Sequence, residues 1–253
     1  MIYKFLIFAL AAIVSLSSDA AGISAKSWLI ADGNGNILEE ENINIQQPIA
    51  SITKLMTAMV ILDANENLKS PLAKKLRGLT VTREQLLNLA IIKSDNQAAK
   101  MLCDVYHRGY QQCIDDMNHK AKILGMLDTE FRDSSGLDNR NVSTPQDLIK
   151  LLLAAERYKE IVYASNQAVG ELVRKKKNKF VKFRYNNTNP LVSKYNVIVS
   201  KTGYVRASGG CLVMSVYIRN QKRLFVVLNS NTTRTRIHDM EQLILNTIHS
   251  PTL

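Results

Sequence analysis

Two short strand-like runs, 27–31 and 37–45, flank Asp32-Gly33-Asn34-Gly35-Asn36, a string of turn formers, so the ordered part of the chain opens with a β-hairpin. The period then changes. Over 51–64, Leu55, Met59 and Leu62 recur at helical spacing. Runs 83–93, 96–106 and 110–124 read as further helices, the last ended by Gly125. Thr144 as N-cap and Pro145 at the first helical position start another, which runs to about 155. Strand-like segments return at 195–200, 211–218 and 223–229, with Asn220-Gln221 as a tight connection between the last two. An amphipathic helix over 234–248 closes the chain. The order predicts an α/β (α+β) fold: one antiparallel sheet from both chain ends, with a helical block inserted and packed on it. No repeat, low-complexity stretch or linker marks a second domain.

The first 20 residues stand outside this pattern. Lys4 precedes 12 apolar residues, 5–16, too few to cross a bilayer, and Ser18-Asp19-Ala20 places small residues at the −3 and −1 positions of a cleavage site. Residues 1–20 therefore read as a secretory signal peptide in preference to an uncleaved anchor, and 21–253 as an exported, soluble domain. No later stretch is apolar enough for a membrane span.

The net charge of +11 is unchanged by losing Lys4 and Asp19. A basic exported protein is drawn to the polyanions of a cell envelope. Much of the excess lies in 174–184, which includes Lys175, Lys176, Lys177, Lys179 and Lys182; it reads as a solvated charged hairpin or loop before a dedicated wall-binding patch. Nucleic acid is a poor partner, since the run carries no recognition motif and export removes the protein from it. Of three cysteines, Cys103 and Cys113 flank a helix–turn–helix near Gly109, close enough to bridge, and spacing leaves the bond open; Cys211 lies in an apolar run and reads as a buried thiol. The four histidines, His107, His119, His238 and His249, have no metal-site spacing and read as surface residues, so neither metal nor cofactor is expected.

Three short motifs carry the chemistry: Ser51-Ile52-Thr53-Lys54, Ser94-Asp95-Asn96 and Lys201-Thr202-Gly203. Residues three apart on a helix share a face, so Ser51 and Lys54 can meet. A serine hydroxyl needs a base, and a lysine serves only if burial or a nearby cation lowers its pKa. Ser51 follows Gln47-Pro48-Ile49-Ala50 and so starts its helix, where backbone N–H groups face developing negative charge. Ser94 stands between helices, where its hydroxyl could pass the proton to a leaving amine, and Asn96 could hold the lysine and a substrate amide. Lys201 follows a strand whose edge can pair with an extended peptide; its charge suits a substrate carboxylate and would lower the pKa of the other lysine, and Gly203 permits close approach. Each motif alone has a bland alternative: a capping serine with a solvated lysine, a polar turn, a lysine at a strand end.

In this order the motifs are the S-x-x-K, S-D-N and K-T-G set of penicillin-recognising serine enzymes. The run Ile49-Ala50-Ser51-Ile52-Thr53-Lys54-Leu55-Met56-Thr57-Ala58 resembles the low-molecular-mass penicillin-binding proteins, the D-alanyl-D-alanine peptidases. So do Leu124-Gly125-Met126 through Thr129, Phe131, Gly136-Leu137, Asn141 and Ser143-Thr144, and Asn187-Thr188-Asn189. The likeness covers roughly 25–249 and is closest to the D-alanyl-D-alanine endopeptidase branch, the penicillin-binding protein 7 type. It implies the DD-peptidase/β-lactamase-like fold, peptidoglycan stem peptides as substrate and β-lactams as acylating inhibitors. It further implies Ser51 as nucleophile, Lys54 as general base, Ser94 as proton relay, and Asn96, Lys201, Thr202 and Gly203 as substrate-binding residues, with the backbone N–H groups of Ser51 and Tyr204 as oxyanion hole. Asp95 departs from the glycine of many such carboxypeptidases, and the chain stops at Leu253, short of the β-domain and anchor helix many of them carry, so a stable membrane anchor is not expected.

Two other readings compete. A class A-like β-lactamase needs a deacylating glutamate; Glu130 is the candidate, but Thr129-Glu130-Phe131-Arg132-Asp133 lacks the E-x-x-L-N pattern. A non-catalytic basic wall-binding protein would not be expected to keep Ser51, Lys54, Ser94 and Lys201 together.

Overall fold

A computed structural model describes the backbone of residues 22–176 and 179–250. The expected signal peptide lies outside the described residues, as does Lys177 in the charged run. In chain order the elements are β1 (Ser27–Asp32), β2 (Ile37–Glu41), β3 (Gln47–Pro48), α1 (Thr53–Asp63), β4 (Pro71–Leu76), β5 (Leu79–Thr82), α2 (Arg83–Ile92), α3 (Asn96–Asp104) and α4 (Gly109–Ile123). There follow β6 (Val142–Ser143), α5 (Pro145–Ala155), α6 (Lys159–Asn166), β7 (Val169–Lys176), β8 (Lys179–Asn186), β9 (Asn196–Val205), β10 (Gly209–Ile218), β11 (Gln221–Ser230) and α7 (Thr235–His249).

Five strands form an antiparallel sheet in the order β2-β1-β11-β10-β9, so the chain ends meet at its centre, with Ser27 opposite Leu228. Apart from the edge strand β2, its strands are largely buried on both faces, and alternate residues serve different layers. Leu29, Val213, Val226 and Leu228 face the helical block, where α1, α2 and α5 supply Leu55, Met59, Leu86, Leu148 and Leu152. Ile30, Leu212, Met214, Phe225 and Val227 face the other way, onto Met240, Leu243 and Ile244 of α7. The starts of α2, α3 and α5 are set by side chains: Thr82 and Gln85 make a capping box, Asp95 accepts from the backbone of Ala98, and Thr144 caps α5 ahead of Pro145. Among the described residues no helix is long and apolar enough to cross a membrane.

The structure moves several expected boundaries. The second strand stops at Glu41 because Asn42 takes φ 54°, its amide donating to the carbonyl of Lys26. The β10–β11 turn is Arg219-Asn220, both at positive φ, one residue earlier than Asn220-Gln221. Lys201-Thr202-Gly203 lies inside β9, since the ladder with β10 runs on to Val205. The hairpins β4–β5 and β7–β8 and the helix α6 were not anticipated as separate elements; β7–β8 makes the charged run a hairpin, as the sequence favoured.

Cys103 and Cys113 are bonded across the α3–α4 turn, and Cys211 is a buried thiol. Closing a loop of ten residues removes about 3 kcal/mol of denatured-state entropy at 25 °C. Reducing agent should lower the urea midpoint by that amount of stability, and a Cys103→Ser variant should show no further response to it.

Candidate active site

Residues Ala50–Ile52 form a 3-10 turn ahead of α1, so Ser51 precedes the α-helix proper. In this tighter winding residues three apart eclipse one another, which sets Lys54 directly against Ser51. The Lys54 ammonium nitrogen lies 2.5 Å from Ser51 Oγ, 2.7 Å from Asn96 Oδ1 and 2.6 Å from the carbonyl oxygen of Ser135. Its side chain is fully buried. Burial pushes its pKa down to about 7, against the opposing pull of the Asp133 and Asp95 carboxylates. A charged amine would donate to all three acceptors. A neutral one donates twice, to Asn96 and Ser135, and turns its lone pair to the Ser51 hydroxyl.

Two glycines let backbone crowd the chain that leads into Ser51. Gly136, at φ +81°, lies so close that a Cβ there would be 1.8 Å from the carbonyl oxygen of Ala50, and one on Gly203 would be 2.8 Å from the carbonyl of Ile49. The 133–141 loop that carries Gly136 is tied down from within. Asp133 accepts from the backbones of Ser135, Gly136 and Asp138, and Asn141 bridges Asp133 to Thr53 on α1. This loop supplies the third acceptor for Lys54.

Ser94 takes φ 58°, a left-handed conformation forced by the turn between α2 and α3. Its hydroxyl accepts from Lys201 Nζ at 2.9 Å, which also donates to the carbonyl of Thr202. Behind it, Asp95 bonds the Arg77 guanidinium at 2.8 Å as well as capping α3. Lys201 is 1% exposed, and burial first, then the charges of Lys54 and Arg236, holds its pKa well below that of an ordinary lysine. It therefore faces Ser94 instead of standing as a fixed surface charge; burial is the first cause of the low Lys54 pKa, and the two lysines oppose each other's charge. Thr202 pairs its hydroxyl with Thr188 at 2.6 Å, and the Tyr204 side chain is exposed. The motifs thus converge from α1, the α2–α3 turn and β9, an edge strand of the sheet.

Sequence reasoning gave no role to Asp133, Ser135 or Arg236. Arg236 is 8% exposed in the first turn of α7 and donates to the carbonyl of Gly203 at 2.7 Å, while its Nε has no partner. Burial lowers its pKa. The signal was available: Arg236 stands four and seven residues before Met240 and Leu243, on the apolar stripe of its helix. Glu130, by contrast, bonds Arg132 at the surface. Among the described residues no group of three or more His, Cys, Asp or Glu is placed to hold a metal ion.

A lysine-served serine beside a sheet edge, under a turn that holds a second hydroxyl, defines the class as serine acyl-transfer enzymes, and the comparisons agree with it. The D-alanyl-D-alanine carboxypeptidase family matches residues 14–78 and 72–232. The D-alanyl-D-alanine endopeptidase of Escherichia coli K12 is 37% identical over 238 residues, 87% of this chain and 76% of its own. That of Pseudomonas aeruginosa is 34% identical over the same shares. The Streptomyces K15 DD-transpeptidase superposes with a TM-score of 0.81 at 27% identity, over 88% of this chain and 96% of its own. The Listeria monocytogenes penicillin-binding protein D2, in its ampicillin-bound form, gives 0.76 at 27% identity over the same shares. The chain belongs to the D-alanyl-D-alanine carboxypeptidase family of serine D,D-peptidases.

Proposed function

We propose that this protein is an exported D,D-peptidase that cleaves peptidoglycan stem peptides after a D-alanine, with cross-links as its main target. The observation that carries the mechanism is the buried Lys54 amine, 2.5 Å from Ser51 Oγ and half deprotonated near neutrality. Support for cross-link cleavage comes from the relatives named endopeptidases, at 34–37% identity, against 25–29% for carboxypeptidases of Bacillus subtilis and Escherichia coli. The substrate lies along β9 in extended form, adding a strand to the sheet edge. Ser51 Oγ attacks the D-alanine carbonyl carbon while its proton passes to Lys54. The backbone N–H groups of Ser51 and Tyr204 hold the oxyanion. As the C–N bond breaks, the leaving amine takes a proton from the Ser94 hydroxyl, which is resupplied through Lys54 and Lys201. Water then hydrolyses the ester, with Lys54 again accepting the proton. Asn96 holds Lys54 in place, and Thr202, Gly203 and Arg236 frame the side of the site that takes the substrate's carboxyl end. Export by cleavage after Ala20, and a periplasmic site of action for 21–253, complete the proposal.

Benzylpenicillin tests the first half-reaction, because its strained amide acylates the same serine and leaves no amine to depart. Intact mass should show one stable adduct per chain, absent in Ser51→Ala. Absence of an adduct in the parent protein would sink serine acylation. Rapid loss of the adduct with catalytic consumption of penicillin would favour β-lactamase.

A further inference from the structure

A groove of about 390 Å³ opens beside the Ser94 turn, between the β4–β5 hairpin, α2 and the β7–β8 hairpin. Its floor is apolar, made by Leu76, Leu79, Leu89 and Leu172. One wall is Phe183. Its cross-strand partner Leu172 and its neighbour Tyr185 are buried, but Phe183 stays 51% exposed. On the rim stand Arg77, Lys93 and Lys182. The acids at this rim are already engaged: Asp95 by Arg77, and Glu171 by Lys182 and Arg184. Lys93, held 5.1 Å over the Phe183 ring, has no carboxylate partner among the described residues. The rim is therefore net positive over an apolar floor, a pairing suited to a ligand carrying both carboxylates and methyl groups.

The groove is tied to the Ser94 turn at two points. Lys93 precedes Ser94 by one peptide unit, about 3.8 Å between Cα atoms, and Arg77 bonds the next residue, Asp95. We infer that this groove is a substrate subsite for the part of the stem peptide remote from the scissile bond, with Lys93 taking a free carboxylate and Phe183 and the leucines taking alanine methyl groups. The inference rests on the peptidoglycan reading above. A stem peptide fits because it is anionic and rich in alanine; an uncharged glycan would leave Lys93 unmatched. Benzylpenicillin acylates Ser51 without carrying the remote part of a stem peptide, so the two ligands separate the subsite from the catalytic centre.

The test uses the mature chain with Phe183→Ala and Lys93→Gln. With a cross-linked muropeptide dimer, KM should rise about five- to tenfold in each variant, and the Lys93→Gln effect should shrink at high salt. The rate of benzylpenicillin acylation should stay within about twofold, since the Ser94 turn is intact. An unchanged KM overturns the subsite. So does an equal loss of penicillin acylation, which would show that the variants merely distort the turn. If the parent protein fails to cleave the dimer, the peptidase reading fails by itself, and the groove is judged by calorimetric binding of a soluble stem peptide to Ser51→Ala. Weaker binding on adding Phe183→Ala supports the subsite; equal binding, or equal affinity for a peptide-free glycan, overturns it.

Discussion

Replacing Lys54 by methionine should cut benzylpenicillin acylation by about 10³-fold or more while leaving a folded protein. Methionine fills the same buried channel without a charge, so packing around Ser51 survives and the loss reports chemistry. What disappears is the lone pair beside the hydroxyl and the amine that holds Asn96 and the Ser135 carbonyl together. The pH dependence of the parent enzyme provides the second half of the experiment. The competent form of Lys54 is neutral, and its pKa is lowered to about 7. Acylation should therefore rise with pH, about tenfold per unit, up to about pH 7, and level off above it. An unperturbed lysine would keep the rate climbing to beyond pH 10. Lys201 shares the burial and faces Ser94, so the observed limb belongs to the pair of amines. A stopped-flow profile flat from pH 5 to 9, or near-normal acylation by Lys54→Met, would remove lysine from the role of base.

Gly136→Ala should be nearly as damaging, although residue 136 bears no functional group. The added methyl would sit 1.8 Å from the carbonyl oxygen and 2.2 Å from the carbonyl carbon of Ala50, and both are backbone atoms that cannot swing aside. The φ of +81° adds left-handed strain. Together these cost about 2–4 kcal/mol of stability. Relief requires the loop or the 3-10 turn to move, and either shift separates Ser51 from Lys54 or Lys54 from Ser135. A displacement of about 1 Å costs about 10²-fold in rate. Acylation should fall by that factor and the urea midpoint should drop; Gly125→Ala, whose added Cβ meets nothing within 4 Å, provides the comparison for φ strain alone. Equal behaviour of the two variants would show that the contact at Ala50 does not position the serine.

The difference between these two positions also explains what could be seen in the sequence. Ser51 and Lys54 are neighbours in one turn, and their pairing follows from local winding. Lys201 and Ser94 became partners through the order of known motifs, since nothing local joins them. The both-ended sheet was legible because β1, β10 and β11 are short apolar runs with turn residues between them. By contrast, β4 buries only Leu72 and Leu76; a spacing of four shares a face on a strand and on a helix alike, and Lys74 between them is exposed, so no alternation marks the strand. The β7–β8 ribbon is rich in lysine and arginine, and such a run carries no apolar alternation, so the sequence left hairpin and loop both open. Ser135 serves Lys54 through its backbone carbonyl, which every residue possesses, and no residue type could have announced it. Arg236 was hidden for another reason: it reaches Gly203 across the sheet, and only an arginine in an apolar helical stripe hinted at it.

The placement of β1 against β11 also governs when this protein can come into being. The first strand finds its inner neighbour only after about 200 further residues, with Leu29 opposite Val226. Every layer of the sheet core depends on that late pairing, so a chain emerging from N to C terminus has no sheet to close on until nearly all of it is available. The helical block can gather earlier around its own contacts and its ten-residue disulfide loop, but Ser51 and Lys201 meet only when β9 docks beside β10. A chain ending after β10 would carry every catalytic motif, yet leave β1 without its inner partner and β10 as an open edge. Its expected fate is aggregation or proteolysis, not reduced activity.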